Sequence, residues 1–282
     1  MEWFEGLILG LIQGLTEFLP VSSSGHLMIG REILGISLPD DEAFLSFEVL
    51  AHTATVLATI VVFRRQIWSL LKGLFKLRYN DETDYVLKIC VSMIPVFVVG
   101  MFFKDQVTAL FGGLAVVGWA LVATACLLLF SDFSSKWAKA PVPDASSDDA
   151  PAHRNGISYL QAFIVGLGQA VAVIPGLSRS GTTISPGLIT GVRRADMAQF
   201  SFLMVLVPIL GEAFLDLLKG GFAASAVSIG TPALLCGFFA AFLSGLLACK
   251  WMVALVKKAS LKWFALYCAV AAAVVLIFNY IG

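Results

Sequence analysis

Residues 14–26 read GLTEFLPVSSSGH. Glu17, three consecutive serines (Ser22, Ser23, Ser24) and His26 thus fall inside a strongly apolar N-terminal segment. A carboxylate left uncompensated at the centre of a bilayer costs roughly 2.5–3.5 kcal/mol on insertion scales. Something must offset Glu17: a cation, a metal ion or water. Pro20 also ends any helix that reaches it. The stretch is therefore a break in an apolar segment and not a plain membrane span.

The rest of the chain supports lipid as its solvent. Of 282 residues, 59% are hydrophobic and 13% charged, with mean hydropathy +0.89. A soluble domain would carry about 25% charged residues. Nineteen basic residues balance nineteen acidic ones. No basic cluster with interleaved aromatics exists, so nucleic acid is not an expected partner. The five cysteines (Cys90, Cys126, Cys236, Cys249, Cys268) lie in apolar runs without CxxC or His spacing. They read as small buried hydrophobes. The N-terminus carries Glu2 and Glu5 where a signal peptide has Lys or Arg, so no cleaved leader is expected.

A helical span needs about 20 apolar residues. Six segments meet this: 44–63, 84–103, 108–130, 195–217, 229–252 and 261–281. Two more regions, 5–35 and 158–191, are apolar but broken. The second breaks at Pro175-Gly176-Leu177-Ser178-Arg179-Ser180-Gly181. Their flanks are too short to cross, which suits re-entrant hairpins that turn back at mid-membrane. Non-helical backbone at that depth must be buried in protein or line a cavity.

The two broken regions match. Gly10-Leu11-Ile12-Gln13 aligns with Gly166-Leu167-Gly168-Gln169, and Ser24-Gly25 with Ser180-Gly181. Phe47 and Phe202 then open comparable spans. Residues 1–130 and 158–282 read as two repeats within one integral membrane domain. Residues 131–157, rich in Pro, Ser, Asp and Ala, read as a flexible cytoplasmic linker. A hairpin adds no crossing and three spans add an odd number, so the second repeat must lie inverted. Such repeats place substrate sites at discontinuous helices near the midplane. The expected fold is all-α and polytopic: six full transmembrane helices plus two re-entrant helical hairpins in an inverted-topology repeat.

Loop charges set the orientation. Arg64, Arg65, Lys72, Lys76 and Arg78 fall on one side with Lys257, Lys258 and Lys262. Lys136, Lys139, Arg154, Arg193 and Arg194 join them, and this side reads as cytoplasmic. Lys104, Lys219 and Asp40-Asp41-Glu42 take the other, and both termini are expected outside.

Gln13 and Glu17, four apart, share a helix face. A serine among Ser22–Ser24 can cap the returning helix, whose N-terminus is a ready anion site. The second break supplies the complement. Arg179 stands among Ser178, Ser180, Thr182 and Thr183, and Arg is the bidentate phosphate ligand. Together the breaks point to a phosphate group at a membrane. Ser, Thr and Gly in membrane helices also serve packing and capping. His52 reads as a packed or cavity-edge residue, Glu48 as a cavity rim, Glu212 and Asp216 as water-facing at a span end, and His153 as an inert linker residue.

The stretches QGLTEFLPVSSSGHL (13–27) and PGLSRSGTTI (175–184) closely resemble the two signature motifs of the undecaprenyl-diphosphate phosphatases, the bacitracin-resistance (BacA) family. Phe47-Glu48-Val49 and Phe200-Ser201-Phe202-Leu203 extend the likeness, which covers the whole chain. The resemblance implies removal of the terminal phosphate of undecaprenyl diphosphate at the outer face of the bacterial inner membrane. That step recycles the lipid carrier of cell-wall synthesis. It implies a divalent cation, Mg²⁺ or Ca²⁺. It places the acidic motif on Gln13 and Glu17, the serines on Ser22 and Ser23, the histidine on His26 and the phosphate-binding arginine on Arg179. Gln13 leaves one carboxylate where some members have two.

On that basis Glu17, Ser23, His26 and Arg179 are the expected catalytic residues. Ser22, Ser24, Ser178, Ser180 and Thr183 are expected on phosphate, and Gln13 with Glu17 on the metal. Either Ser23 attacks phosphorus, activated by Glu17 or His26, or a metal-activated water does. The expected partners are a polyprenyl diphosphate, membrane lipid and a second copy of the chain. A flippase of undecaprenyl phosphate is the rival reading. An acid-phosphatase-type site is rejected, because Ser185 and Ile189 stand where that class needs a His and an Asp.

Overall fold

The computed structural model describes residues 1–38, 41–103, 106, 113–137, 154–220, 226–256 and 260–281. The expected linker residues 138–153, with Lys139 and His153, lie outside them. So do Asp40, Lys104, Lys257 and Lys258. Among the described residues every regular element is a helix. Besides a 3-10 turn (Arg154–Gly156) and a π-helical turn (Ala226–Gly230), these are, in chain order, α1 (Trp3–Thr16), α2 (Ser23–Ile33), α3 (Asp41–Val62), α4 (Arg64–Leu74), α5 (Asp81–Phe102) and α6 (Leu114–Trp137). Then come α7 (Tyr159–Val171), α8 (Arg179–Ile189), α9 (Arg194–Met204), α10 (Leu206–Lys219), α11 (Thr231–Val256) and α12 (Lys262–Ile281). Six helical stretches are long and apolar enough to cross a membrane, α9 and α10 together forming one of them. The chain is a multi-pass membrane protein.

Three details depart from the sequence reading. Residues 131–137, expected in the linker, continue α6. The 64–83 loop contains α4, whose Trp68, Leu71 and adjoining Phe75 are exposed beside Arg64, Arg65 and Lys72. A short helix with aromatic and basic flanks suits the membrane interface. Cys90 and Cys126 are exposed on α5 and α6, whereas Cys249 and Cys268 are buried as expected.

Close packing is set by small residues. In lipid, helices associate through close approach and not through apolar burial. A Cβ at Gly6 or Gly10 of α1 would strike the backbone of Ala233 or Gly237 on α11. A Cβ at Gly166 of α7 would strike the backbone of Ser92 on α5. Gly10 and Gly166, which align in the sequence, thus do the same work against different spans.

Polar clusters pin the other end. Asp84 and Lys88 form a buried pair at 2.5 Å, and the hydroxyls of Tyr79 and Tyr159 donate to Asp84 at 2.7 and 2.9 Å. Asp132 on α6 accepts from Ser260 Oγ at 2.8 Å and from the Leu261 backbone N–H at 3.3 Å. Arg194 Nη2 donates to it at 3.5 Å. One carboxylate therefore ties the end of α6 to the starts of α9 and α12. Asp132→Ala strands these donors and should cost about 1–3 kcal/mol. The expected outcome is a lower thermal midpoint for the purified protein, partly restored by Asp132→Asn.

Candidate active site

Each half has a helix–break–helix element, α1–α2 and α7–α8, and the breaks touch. Ser180 Oγ donates to Leu19 O at 2.9 Å. Gly176 has φ +86, and a Cβ there would lie 2.7 Å from Val117 Cα. Only glycine fits that turn. The breaks share their capping as well. Ser22 Oγ accepts from Gly25 N at 3.2 Å and Ser178 Oγ from Gly181 N at 3.1 Å. Ser22 holds φ 71, a region L-residues rarely occupy, and starts α2 at once after the turn. Both helix N-termini open onto one cavity.

This cavity encloses about 430 Å³. Its polar lining comprises Ser22, Ser23, Ser24, Ser178, Arg179 and Ser180 from the breaks, with Glu17, Glu48, His52, Gln169 and Glu212. Apolar side chains of α3, α5 and α10 make up much of the rest, among them Leu45, Val96 and Ile209.

Glu17 is the hub. It follows the last turn of α1, and its side chain is 6% exposed. Its Oε2 accepts from Gln13 Nε2 at 2.8 Å and from Ser23 Oγ at 2.7 Å. His52 Nε2 lies 3.3 Å from the same oxygen. Arg179 Nη2 pairs with Oε1. The buried charge is thus offset by an arginine brought from the other half of the chain, the partner the first break lacks.

The histidines divide differently from expectation. His52 Nδ1 lies 2.8 Å from Glu48 O, a carbonyl that can only accept, so Nδ1 carries a proton. Its Nε2 then faces Glu17, and the two groups share whatever proton lies between them. His26, expected among the catalytic residues, is turned away from the cavity lining. Its Nδ1 meets Ser22 O at 2.6 Å and its Nε2 meets Tyr267 Oη at 2.7 Å, with the rings stacked. A neutral ring satisfies both contacts, so this imidazole locks the first turn of α2 to α12.

Of the expected phosphate ligands, Ser22, Ser24, Ser178 and Ser180 line the cavity and Thr183 does not. Thr183 is buried inside α8, donating to Arg179 O at 2.8 Å and meeting Ser201 Oγ at 2.7 Å. It braces α8 on α9 instead. Glu48 and His52 are stronger cavity residues than the sequence reading made them. An acid and an imidazole four apart on one face of a membrane span were the available signal. Glu212 lies on the cavity wall as well.

For a divalent cation, no three His, Cys, Asp or Glu side chains converge among the described residues. Mg²⁺ commonly takes one or two carboxylates and completes its shell with substrate phosphates and water. Two buried oxygens suit that need: Glu48 Oε1 and Gln13 Oε1 have no hydrogen-bond partner among the described residues. Glu17, by contrast, is already engaged on both oxygens.

Residues 6–274 match the family described as bacitracin resistance protein BacA. A protein of Bacteroides fragilis named undecaprenyl-diphosphatase is 52% identical over 281 residues, covering 98% of each chain. One of the same name from Parabacteroides distasonis is 51% identical over 275 residues, or 96% of each. Another, from Methanobrevibacter smithii, is 35% identical over 290 residues, covering 98% of this chain and 97% of its own. With both motifs assembled around one carboxylate and the match running nearly end to end, the chain belongs to the bacitracin resistance protein BacA family.

Proposed function

We propose that this protein hydrolyses undecaprenyl diphosphate to undecaprenyl phosphate and inorganic phosphate, recycling the lipid carrier of peptidoglycan synthesis and so conferring bacitracin resistance. One observation carries the reading: a single buried carboxylate, Glu17, accepts the Ser23 hydroxyl and pairs with Arg179. Nucleophile, base and phosphate-binding cation meet there. The name shared by the relatives supports the substrate.

Arg179, with the N-termini of α2 and α8, holds the terminal phosphoryl oxygens and stabilises the charge that develops on them. Ser22, Ser24 and Ser178 add hydroxyl donors, while Ser180 keeps its proton on Leu19 O. Ser23 Oγ attacks the terminal phosphorus and its proton passes to Glu17. The bond from that phosphorus to the bridging oxygen breaks, and undecaprenyl phosphate leaves with the electron pair. Water then attacks the phosphoserine and gives a proton to the Glu17–His52 pair; the bond from phosphorus to Ser23 Oγ breaks, and Ser23 Oγ takes back the proton held by Glu17 as phosphate departs. Glu48 and Gln13, whose Oε1 atoms have no hydrogen-bond partner among the described residues, would hold a divalent cation, Mg²⁺ or Ca²⁺, and it would supply neutralising charge to the diphosphate.

In the membrane the two broken elements act as re-entrant hairpins of an inverted repeat, residues 1–130 and 158–282. The reciprocal packing of α1 on α11 and α7 on α5 supports this, as do the matching caps. The cavity is lined by the first half of α3, the end of α5 and the first half of α10, which is the later half of the α9–α10 span. That end is opposite α4 and its basic residues, which supports an outward-facing site with both termini external.

The test is phosphate release from undecaprenyl diphosphate by purified protein in detergent. Hydrolysis proceeds there without a sealed compartment. No release in detergent, with translocation of undecaprenyl phosphate in sealed vesicles, would instead identify a flippase. Arg179→Lys keeps the charge but loses the planar fork. It should lower kcat/KM on the order of 10²-fold, read in the same assay.

A further inference from the structure

Gln169 is a buried amide whose needs the described residues leave unmet. It sits on α7, is 2% exposed and lines the cavity. Its Nε2 reaches only Met93 Sδ, at 3.9 Å, and its Oε1 has no partner among the described residues. Buried polar side chains almost always have a hydrogen-bond partner. A primary amide offers two donors and one acceptor, and a half-turn of its end group exchanges them without a change of shape.

The repeat shows what is missing. Gln169 aligns with Gln13, whose Nε2 donates to the carboxylate of Glu17. At the position matching Glu17 the second half has Val173, which also lines the cavity. The second amide therefore faces the same space without a built-in anion. Arg179 and two helix N-termini already draw an anion into that space.

Resting on the reading of this cavity as a diphosphate site, we propose that Gln169 is a direct ligand of the substrate, donating an amide N–H to a phosphoryl oxygen. The diphosphate then fills in the second half the place that the Glu17 carboxylate fills in the first. Gln169 sets substrate affinity and takes no part in proton transfer.

The test compares wild type with Gln169→Met, which keeps the volume and removes the hydrogen bonds. Methylenediphosphonate, a non-hydrolysable diphosphate, is titrated in thermal-shift measurements. Wild-type protein should be protected, and the half-saturating concentration should rise about tenfold in the variant, the loss of one charge-assisted hydrogen bond. KM for undecaprenyl diphosphate should rise by a similar factor with kcat little changed. The unliganded variant should melt no lower than wild type, since an unmet polar group has gone. A rise of threefold or more in the half-saturating concentration supports the assignment. A smaller change overturns it and leaves a structural amide, and so does failure of the diphosphonate to protect wild type. If Gln169→Met does not fold, Gln169→Leu, which also removes the hydrogen bonds without adding charge, serves in its place, with the same threshold. Binding is read without turnover, so a wild type that binds but releases no phosphate would sink the hydrolase reading alone.

Discussion

Glu17→Gln should lower phosphate release by about 10³-fold, within the range that a general base contributes. The substitution keeps the shape of the side chain, and its carbonyl end can still accept from Ser23 or Arg179. It removes two things. The amide cannot take the proton of Ser23, and it no longer neutralises Arg179, whose side chain is 24% exposed beside it. An arginine freed from its carboxylate binds phosphate more freely, so KM should hold or fall while kcat collapses. That split separates a lost base from a lost binding group. Steady-state phosphate release over a range of substrate concentrations measures both constants. Activity within tenfold of wild type would remove Glu17 from proton transfer.

Gly10→Leu should cost the fold itself. The missing Cβ of Gly10 is what lets α1 lie against the backbone of Gly237. Backbone cannot turn aside as a side chain can, so overpacking here falls at the upper end of its usual range, about 3 kcal/mol. Gln13 and Glu17 continue the same helix, so any shift of α1 also displaces the hub of the cavity. Loss of monodisperse protein on size exclusion and loss of phosphate release are expected together. Gly166→Leu should behave alike against Ser92 on α5. Leu11→Ala, at an exposed position of α1, should change neither. A well-folded Gly10→Leu protein would show that the approach of α1 to α11 is not tight.

The spans were legible because each is a long apolar run, and helix is the form in which such a run satisfies its backbone in lipid. The breaks were legible because Pro20 and Pro175 interrupt apolar segments beside clustered hydroxyls. Aligning Gln13 with Gln169 brought Arg179 to the first motif, and the ion pair with Glu17 shows why it is needed there. Side-chain direction was not legible. His26 and Ser23 are three apart, yet the turn at Ser22 sends one toward Tyr267 and the other to Glu17. Thr183 carries a motif hydroxyl but spends it inside α8. His52 looked like packing because its partner lies 35 residues earlier on another helix. The helical start of the expected linker was hidden by its polar composition, since Asp132 is held by contacts from Ser260 and Leu261 far along the chain.

Stereochemistry at the transferred phosphorus bears most directly on the roles of Glu17, Ser23 and Arg179. The substrate is undecaprenyl diphosphate whose terminal group is a thiophosphoryl made chiral with oxygen isotopes, hydrolysed by wild-type protein in isotopically distinct water. Attack by Ser23 followed by attack of water inverts the centre twice, and the released thiophosphate should show net retention. Net inversion would mean that water attacks directly, and that Ser23 positions the phosphate without bonding to it.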